Sequence, residues 1–187
     1  MKKNLMIAVW MTFVTTVLLG VVYPLVLTGL AQILFRDKAN GQLITKDGKV
    51  IGSHIIGQAF TGPSYFHPRP SAVSYDAANS NGSQFAPTNH LLVDRVKGDV
   101  AALQAEHPGQ LIPIDLVTTS ASGLDPDITP AAAEFQVARV ARERHLSEDK
   151  VRDLVRQATR GRDLGILGEP RVNVLELNLS LEALSSH

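Results

Sequence analysis

Six histidines, two neighbouring serines and a pair of aspartates are the side chains best suited to chemistry here, and most of them stand alone. His54, His67, His90, His107, His145 and His187 are scattered, and none lies at metal-ligand spacing from a second donor, so packing and surface roles fit them better than ligation. Ser120 and Ser122 sit in Ser-Ala-Ser-Gly rather than in a Gly-x-Ser-x-Gly elbow, which gives a hydrolase nucleophile little support. A phosphate-binding Gly-x-x-x-x-Gly-Lys-Ser/Thr loop is absent. Asp125 and Asp127 form an acidic pair that could attract a cation. Asp-Pro followed by Thr129-Pro130 is, however, also what a turn before a helix requires, and that structural reading is preferred. Without cysteine there are no disulfides and no thiolate metal sites.

What must position these residues begins with an apolar stretch. From Leu5 to Phe35 there are 31 residues without a charge. As a helix at about 1.5 Å per residue they reach roughly 45 Å, more than the hydrocarbon core of a bilayer at about 30 Å. The run exceeds the apolar core of a cleaved signal peptide, and no small-x-small cleavage site follows it. Residues 1–38 are therefore expected to be an uncleaved single-pass anchor in membrane lipid, bent at Pro24, and residues 39–187 a soluble domain. Lys2 and Lys3 lie on one side and Arg36 and Lys38 on the other, so charge counting alone leaves orientation open. A short basic head before an apolar run behaves as a signal anchor, which favours a cytoplasmic N-terminus and an extracytoplasmic domain.

The soluble part has room for one core. The chain carries 18 Lys and Arg against 18 Asp and Glu, and this near-neutrality argues against a nucleic-acid footprint. The pattern predicts an α+β domain with few strands and about three helices. Asp47-Gly48 should turn a short hairpin. The proline-rich loop from Pro63 to Ala72 should pack Tyr65 and Phe66 on the domain, in preference to contacting a ligand directly. Thr88 is expected to cap a helix carrying Leu92, Val96, Val100 and Leu103, and Leu111–Thr119 to form a mostly buried strand. Helices should follow from Thr129-Pro130 to about His145 and from Ser147 to Gly161. The alternation after Val172 changes phase at Leu175, fitting a bulged strand or a strand passing into a helical turn.

The block Asp115–Pro126, followed by Ile128, Pro130, Ala132, Gln136 and Arg139-Val140-Ala141, resembles the hallmark of the KdpC family, the C subunit of the bacterial potassium-transporting P-type ATPase. Gly57-Gln58 through Tyr65-Phe66 to Arg69-Pro70-Ser71-Ala72, the Ser80–Asn89 loop, and Gly168–Val174 with Leu177-Asn178 agree as well. The resemblance implies an inner-membrane complex. A channel-like subunit conducts K+, a P-type subunit hydrolyses ATP, and a small membrane peptide accompanies them. The chain lacks Asp-Lys-Thr-Gly and so is expected to have no catalytic residues or cofactor of its own. The resemblance also implies a catalytic chaperone that raises the ATP affinity of the ATPase subunit. Ser80-Asn81-Gly82-Ser83-Gln84 is similar to the Leu-Ser-Gly-Gly-Gln signature of ABC ATPases, so Ser80, Gly82, Ser83 and Gln84 become candidate nucleotide contacts. Asn81 and Ser83 stand where the family more often has glycines, and Asp127 where it leads one to expect histidine. An extracytoplasmic loop cannot touch cytoplasmic ATP across about 30 Å of hydrocarbon, so topology favours a role at the outer mouth of the channel-like subunit. Rival readings are a signal-anchored hydrolase using Ser122 with a histidine, and a module binding a ligand in the proline-rich loop.

Overall fold

The computed structural model describes residues 1–185. The chain divides into two compact units, Met1–Leu43 and Ile44–His187. In the first, helices α1 (Lys2–Val17) and α2 (Tyr23–Leu34) run into one another through a π-helical turn, Leu18–Val22. The turn explains how Pro24 is accommodated. Tyr23 N–H reaches back five residues to Leu18 O, so the register shifts just before the residue that cannot donate. No residue of Lys2–Leu34 is buried by the chain itself. The short helix α3 (Arg36–Ala39) follows, and Asn40 exchanges two 3.2 Å amide hydrogen bonds with Gln32.

The second unit has the expected α+β architecture. Strands β1 (Leu43–Lys46) and β2 (Lys49–Ser53) form a hairpin, with Asp47 (φ 51°) and Gly48 (φ 75°) both left-handed as a type I′ turn demands. A long loop leads to α4 (His90–Glu106), then to a 3₁₀ turn at Ile114–Leu116 and strand β3 (Asp127–Ile128). Helices α5 (Pro130–Arg144) and α6 (Glu148–Ala158) precede β4 (Thr159–Arg160), β5 (Arg171–Asn173) and α7 (Val174–Ser185). The sheet order is β3-β5-β4, antiparallel throughout, with Ile128 and Thr159 both opposite Val172. Helix α5 packs on α6, and α6 on α7. Val137, Val140, Val151, Val172, Leu177 and Leu181 meet in the core between them, and Phe66 is inserted from the proline-rich loop at 0% exposure.

Two helix starts follow their predicted caps. Thr129 Oγ1 accepts from Ala132 N and Ser147 Oγ from Lys150 N, and α5 ends at His145 in the left-handed conformation. Elsewhere the structure departs from expectation. Asn89, not Thr88, caps α4 by accepting from Leu91 N. Leu111–Thr119 is not a strand: Leu111 is 95% exposed, and Asp115 and Leu116 turn inward in the 3₁₀ segment after Pro113, which cannot donate to a ladder. Helix α6 stops at Ala158 rather than at Gly161 because Thr159 turns extended to pair with β5. The phase change after Val174 begins a 12-residue helix, whose start is fixed by Asn173 Oδ1 accepting from Glu176 N.

Candidate functional site

The proline-rich loop lies across α5 and α7 and is held by their side chains one peptide at a time. Asn178 on α7 receives Phe66 N–H on Oδ1 (2.9 Å) and donates Nδ2 to Phe66 O (3.0 Å). Gln136 on α5 does the same for the next residue, Oε1 accepting from His67 N (2.7 Å) and Nε2 donating to His67 O (3.1 Å). Each amide thereby completes two backbone groups as a neighbouring strand would. Arg139 donates Nη1 to the carbonyls of Pro63 and Tyr65 and Nη2 to Gln136 Oε1, while Arg144 donates Nε to Ser64 O and stacks 4.8 Å over the Tyr65 ring. Gln136, Arg139 and Asn178 are all buried. His67 donates Nε2–H to Gly62 O, and burial holds its pKa below the ordinary imidazole value. The loop is part of the scaffold, as the sequence led one to expect.

Further on, the same loop reaches the acidic pair. Arg69 donates Nη1 to Asp125 Oδ2 (3.0 Å) and contacts Thr118 and Thr119 O, and Asp125 Oδ1 accepts Asp127 N–H (3.0 Å). Tyr75 donates its hydroxyl to Arg69 O, and burial followed by the nearby Asp125 carboxylate pushes that phenol up to about 12. Asp127 lies 3.4 Å from Arg171; its carboxyl is nevertheless raised above the usual range, first by burial and then by Asp125, with Arg171 and Arg160 pulling the other way. Arg69, Asp125, Asp127 and Arg171 border a groove of about 260 Å³ shared with Asp115, Thr129 and Glu169. Asp115 is committed to Thr129, accepting both its N–H (2.7 Å) and its Oγ1–H (3.1 Å), and Glu169 pairs with Arg162. Every carboxylate of the groove therefore has a protein partner, and no group of three His, Cys, Asp or Glu among the described residues could hold a metal ion.

The Ser80–Gln84 loop rests against the loop that follows Thr119. Asn81 N–H and Ser80 Oγ both donate to Ser122 O, and the Cβ that Gly82 lacks would stand 3.0 Å from Ala121 O. Gly123 opposite is confined twice over, by φ +68° and by Asn81 O at 2.7 Å from where its Cβ would be. Gln84, in the left-handed region, spends its Nε2 on Asn81 Oδ1 (2.6 Å). No helix begins at this loop, so the amides of Gly82 and Ser83 do not sit on a helix N-terminus of the kind that binds phosphate.

Ser122 Oγ accepts from Leu124 N and contacts Ser120 Oγ at 3.4 Å, with no imidazole among its described partners. His54 instead pairs with Glu176, and the His107 ring lies against Phe135. His187 falls outside the described residues. The structure thus brings Arg69, Asp125 and Asp127 together and keeps Ser80–Gln84 in a separate loop contact. The clamp of Gln136, Arg139 and Asn178 is what reading the residues for chemistry missed. Its signal was present: Gln136 and Arg139 fall beside Val137 and Val140 in a helix buried on most sides, where a polar side chain must be bonded internally.

A family model for KdpC, described as K+-transporting ATPase, c chain, matches residues 5–183. The chain is 67% identical over 184 residues to the potassium-transporting ATPase KdpC subunit of Koribacter versatilis, covering 97% of this chain and 95% of that protein. Similar subunits from Methylobacterium nodulans (55% identical, 91% of this chain and 92% of the relative) and Rhodopseudomonas palustris (54%, 98% of each) align over comparable spans.

Proposed function

The chain belongs to the KdpC family, an accessory subunit of the potassium-transporting ATPase, and on that premise we propose how it serves the complex. Its N-terminal helix crosses the inner membrane with the N-terminus in the cytoplasm and docks on the channel-like subunit. The domain sits outside, over the potassium entrance, where it stabilises the assembly. The observation that carries this reading is the 33-residue helix Lys2–Leu34, charge-free from Leu5 onward and without one buried residue. A bilayer and a membrane partner are the surroundings that satisfy it.

Asp125 and Asp127 contribute a weakly cation-attracting surface at most, since Arg69 and Arg171 neutralise them. A gain in ATP affinity of the P-type subunit, the role of a catalytic chaperone, is then transmitted through subunit contacts rather than by Ser80, Gly82, Ser83 or Gln84 touching nucleotide. In support, the Gln84 amide is already bonded within its own loop. The subunit reading is preferred to a hydrolase because Ser122 has no histidine among its described partners.

Sidedness tests it. Ser83→Cys introduces the only thiol into a cysteine-free chain. A membrane-impermeant maleimide should label it in intact cells. Labelling only after permeabilisation would place the loop in the cytoplasm and restore direct nucleotide contact.

A further inference from the structure

Asparagine followed by glycine occurs twice in the chain, at Asn40-Gly41 and at Asn81-Gly82. The dipeptide is open to a reaction of the main chain on itself, because a glycine nitrogen has no adjoining Cβ to keep it from the carbon of the preceding side-chain amide. The fold treats the two steps differently. Asn40 donates Nδ2 to Arg36 O (2.6 Å) and Gln32 Oε1 (3.2 Å), accepts from Gln32 Nε2 on Oδ1, and is followed by a Gly41 N–H that is given to Lys38 O (3.2 Å). Attacking and leaving nitrogens are both engaged there. Asn81 is exposed, and neither its Nδ2 nor the Gly82 N–H has a hydrogen-bond partner among the described residues. Its Oδ1 instead accepts from Gln84 Nε2 (2.6 Å), a donor aimed at the atom on which negative charge gathers when the amide carbon is attacked.

We propose that Asn81-Gly82 is a self-modifying site through which the chain releases its own 80–84 loop. Gly82 N, on losing its proton, attacks Asn81 Cγ. The new N–Cγ bond closes a succinimide ring as the Cγ–Nδ2 bond breaks and that nitrogen leaves as ammonia. Water then opens the ring. Attack at Cγ gives aspartate; attack at the main-chain carbonyl gives isoaspartate, whose backbone runs through Cγ and is longer by one methylene. Water is the sole co-reactant. The isoaspartate cannot keep the loop contact intact. Asn81 N–H donates to Ser122 O (2.9 Å), and Asn81 O lies 2.7 Å from where a Cβ of Gly123 would stand. Both sides of residue 81 thus press on the 120–123 loop, and a longer backbone moves one of them away.

Full-length chain incubated in detergent at mildly alkaline pH and mapped by peptide mass spectrometry tests the proposal. Conversion at Asn81 should exceed that at Asn40 by at least about tenfold, and should quicken as pH rises, as attack by a deprotonated nitrogen requires. The converted fraction should accept a methyl group from an isoaspartyl methyltransferase and should lose hydrogen-exchange protection of the residue 81 amide by about tenfold. Gln84→Ala should slow conversion about threefold by removing the donor to Oδ1. Equal conversion at the two positions, or an Asn81 that stays intact while a free peptide of residues 80–84 converts, would overturn the assignment. Full protection of that amide after conversion would overturn the release of the loop, and an unchanged rate in Gln84→Ala would overturn the part given to Gln84.

Discussion

Two neighbouring stretches, Pro63–Tyr75 and Asp76–Gln110, are both rich in turn-forming residues, yet they are held in opposite ways. In the first, side chains from α5 and α7 bind the main chain of Pro63 to His67, and Ser71 and Tyr75 tie Arg69 and Gly123 into the same framework. The second bonds largely to itself, Asn79 to Asp76, Gln84 to Asn81 and Arg95 to Asp99. Helix α4 within it has no buried residue, and Arg95, paired with Asp99 through Nη1, keeps Nε and Nη2 out of water with no hydrogen-bond partner among the described residues. Proline content therefore does not decide which loop is rigid; buried amides and guanidinium groups on other elements do.

The sharpest way to break this contrast is Asn178→Leu. It removes both bonds to Phe66 and strands a buried N–H and C=O, and should cost about 3 kcal/mol, read as a fall of the thermal midpoint of the detergent-solubilised chain by roughly 10 °C. A loss below about 1 kcal/mol would mean the loop holds itself. Next, Thr129→Ala removes the α5 cap and an Asp115 partner and should cost about 2 kcal/mol. The equivalent change Asn89→Ala on α4 should cost only a few tenths of a kcal/mol in the global transition, because that helix buries no residue and meets the core through the partly buried Leu103. Equal losses would erase the distinction between the two stretches.

A smaller effect tests the groove. Because the folded-state pKa of Asp127 is raised, the stability it contributes is fully present below the ordinary value of 3.8 and is lost as pH rises through the raised one. Asp127→Asn should accordingly raise stability at pH 7 relative to the unsubstituted chain, by less than about 1 kcal/mol, with the difference vanishing below pH 3.8. Destabilisation at pH 7 would show that the Arg171 pair outweighs burial. Smallest of all, Gln84→Ala should leave stability within about 0.5 kcal/mol and the ATP affinity of the assembled pump within about twofold.

The legible features were those encoded locally. Asp47-Gly48, Thr129-Pro130 and Ser147 each carry their geometry in two or three residues, and the apolar run needs only its length. What escaped was set by distant partners. Leu111–Thr119 has the composition of a strand, but Asp115 is drawn inward by Thr129 and no ladder reaches the segment. Thr159 leaves α6 because β5 lies beside it, and only the fold could show that. The KdpC resemblance identified the Gln136, Arg139 and Asn178 positions without their purpose, since a buried amide that serves a loop more than sixty residues away looks in sequence like any polar residue in a helix.

Purification of the full-length chain from membranes in mild detergent addresses the central claim most directly. The channel-like and ATP-hydrolysing subunits should elute with it in constant ratio, and the eluate should hydrolyse ATP in response to K+. A chain that remains soluble without detergent, or that leaves the membrane alone, would contradict it.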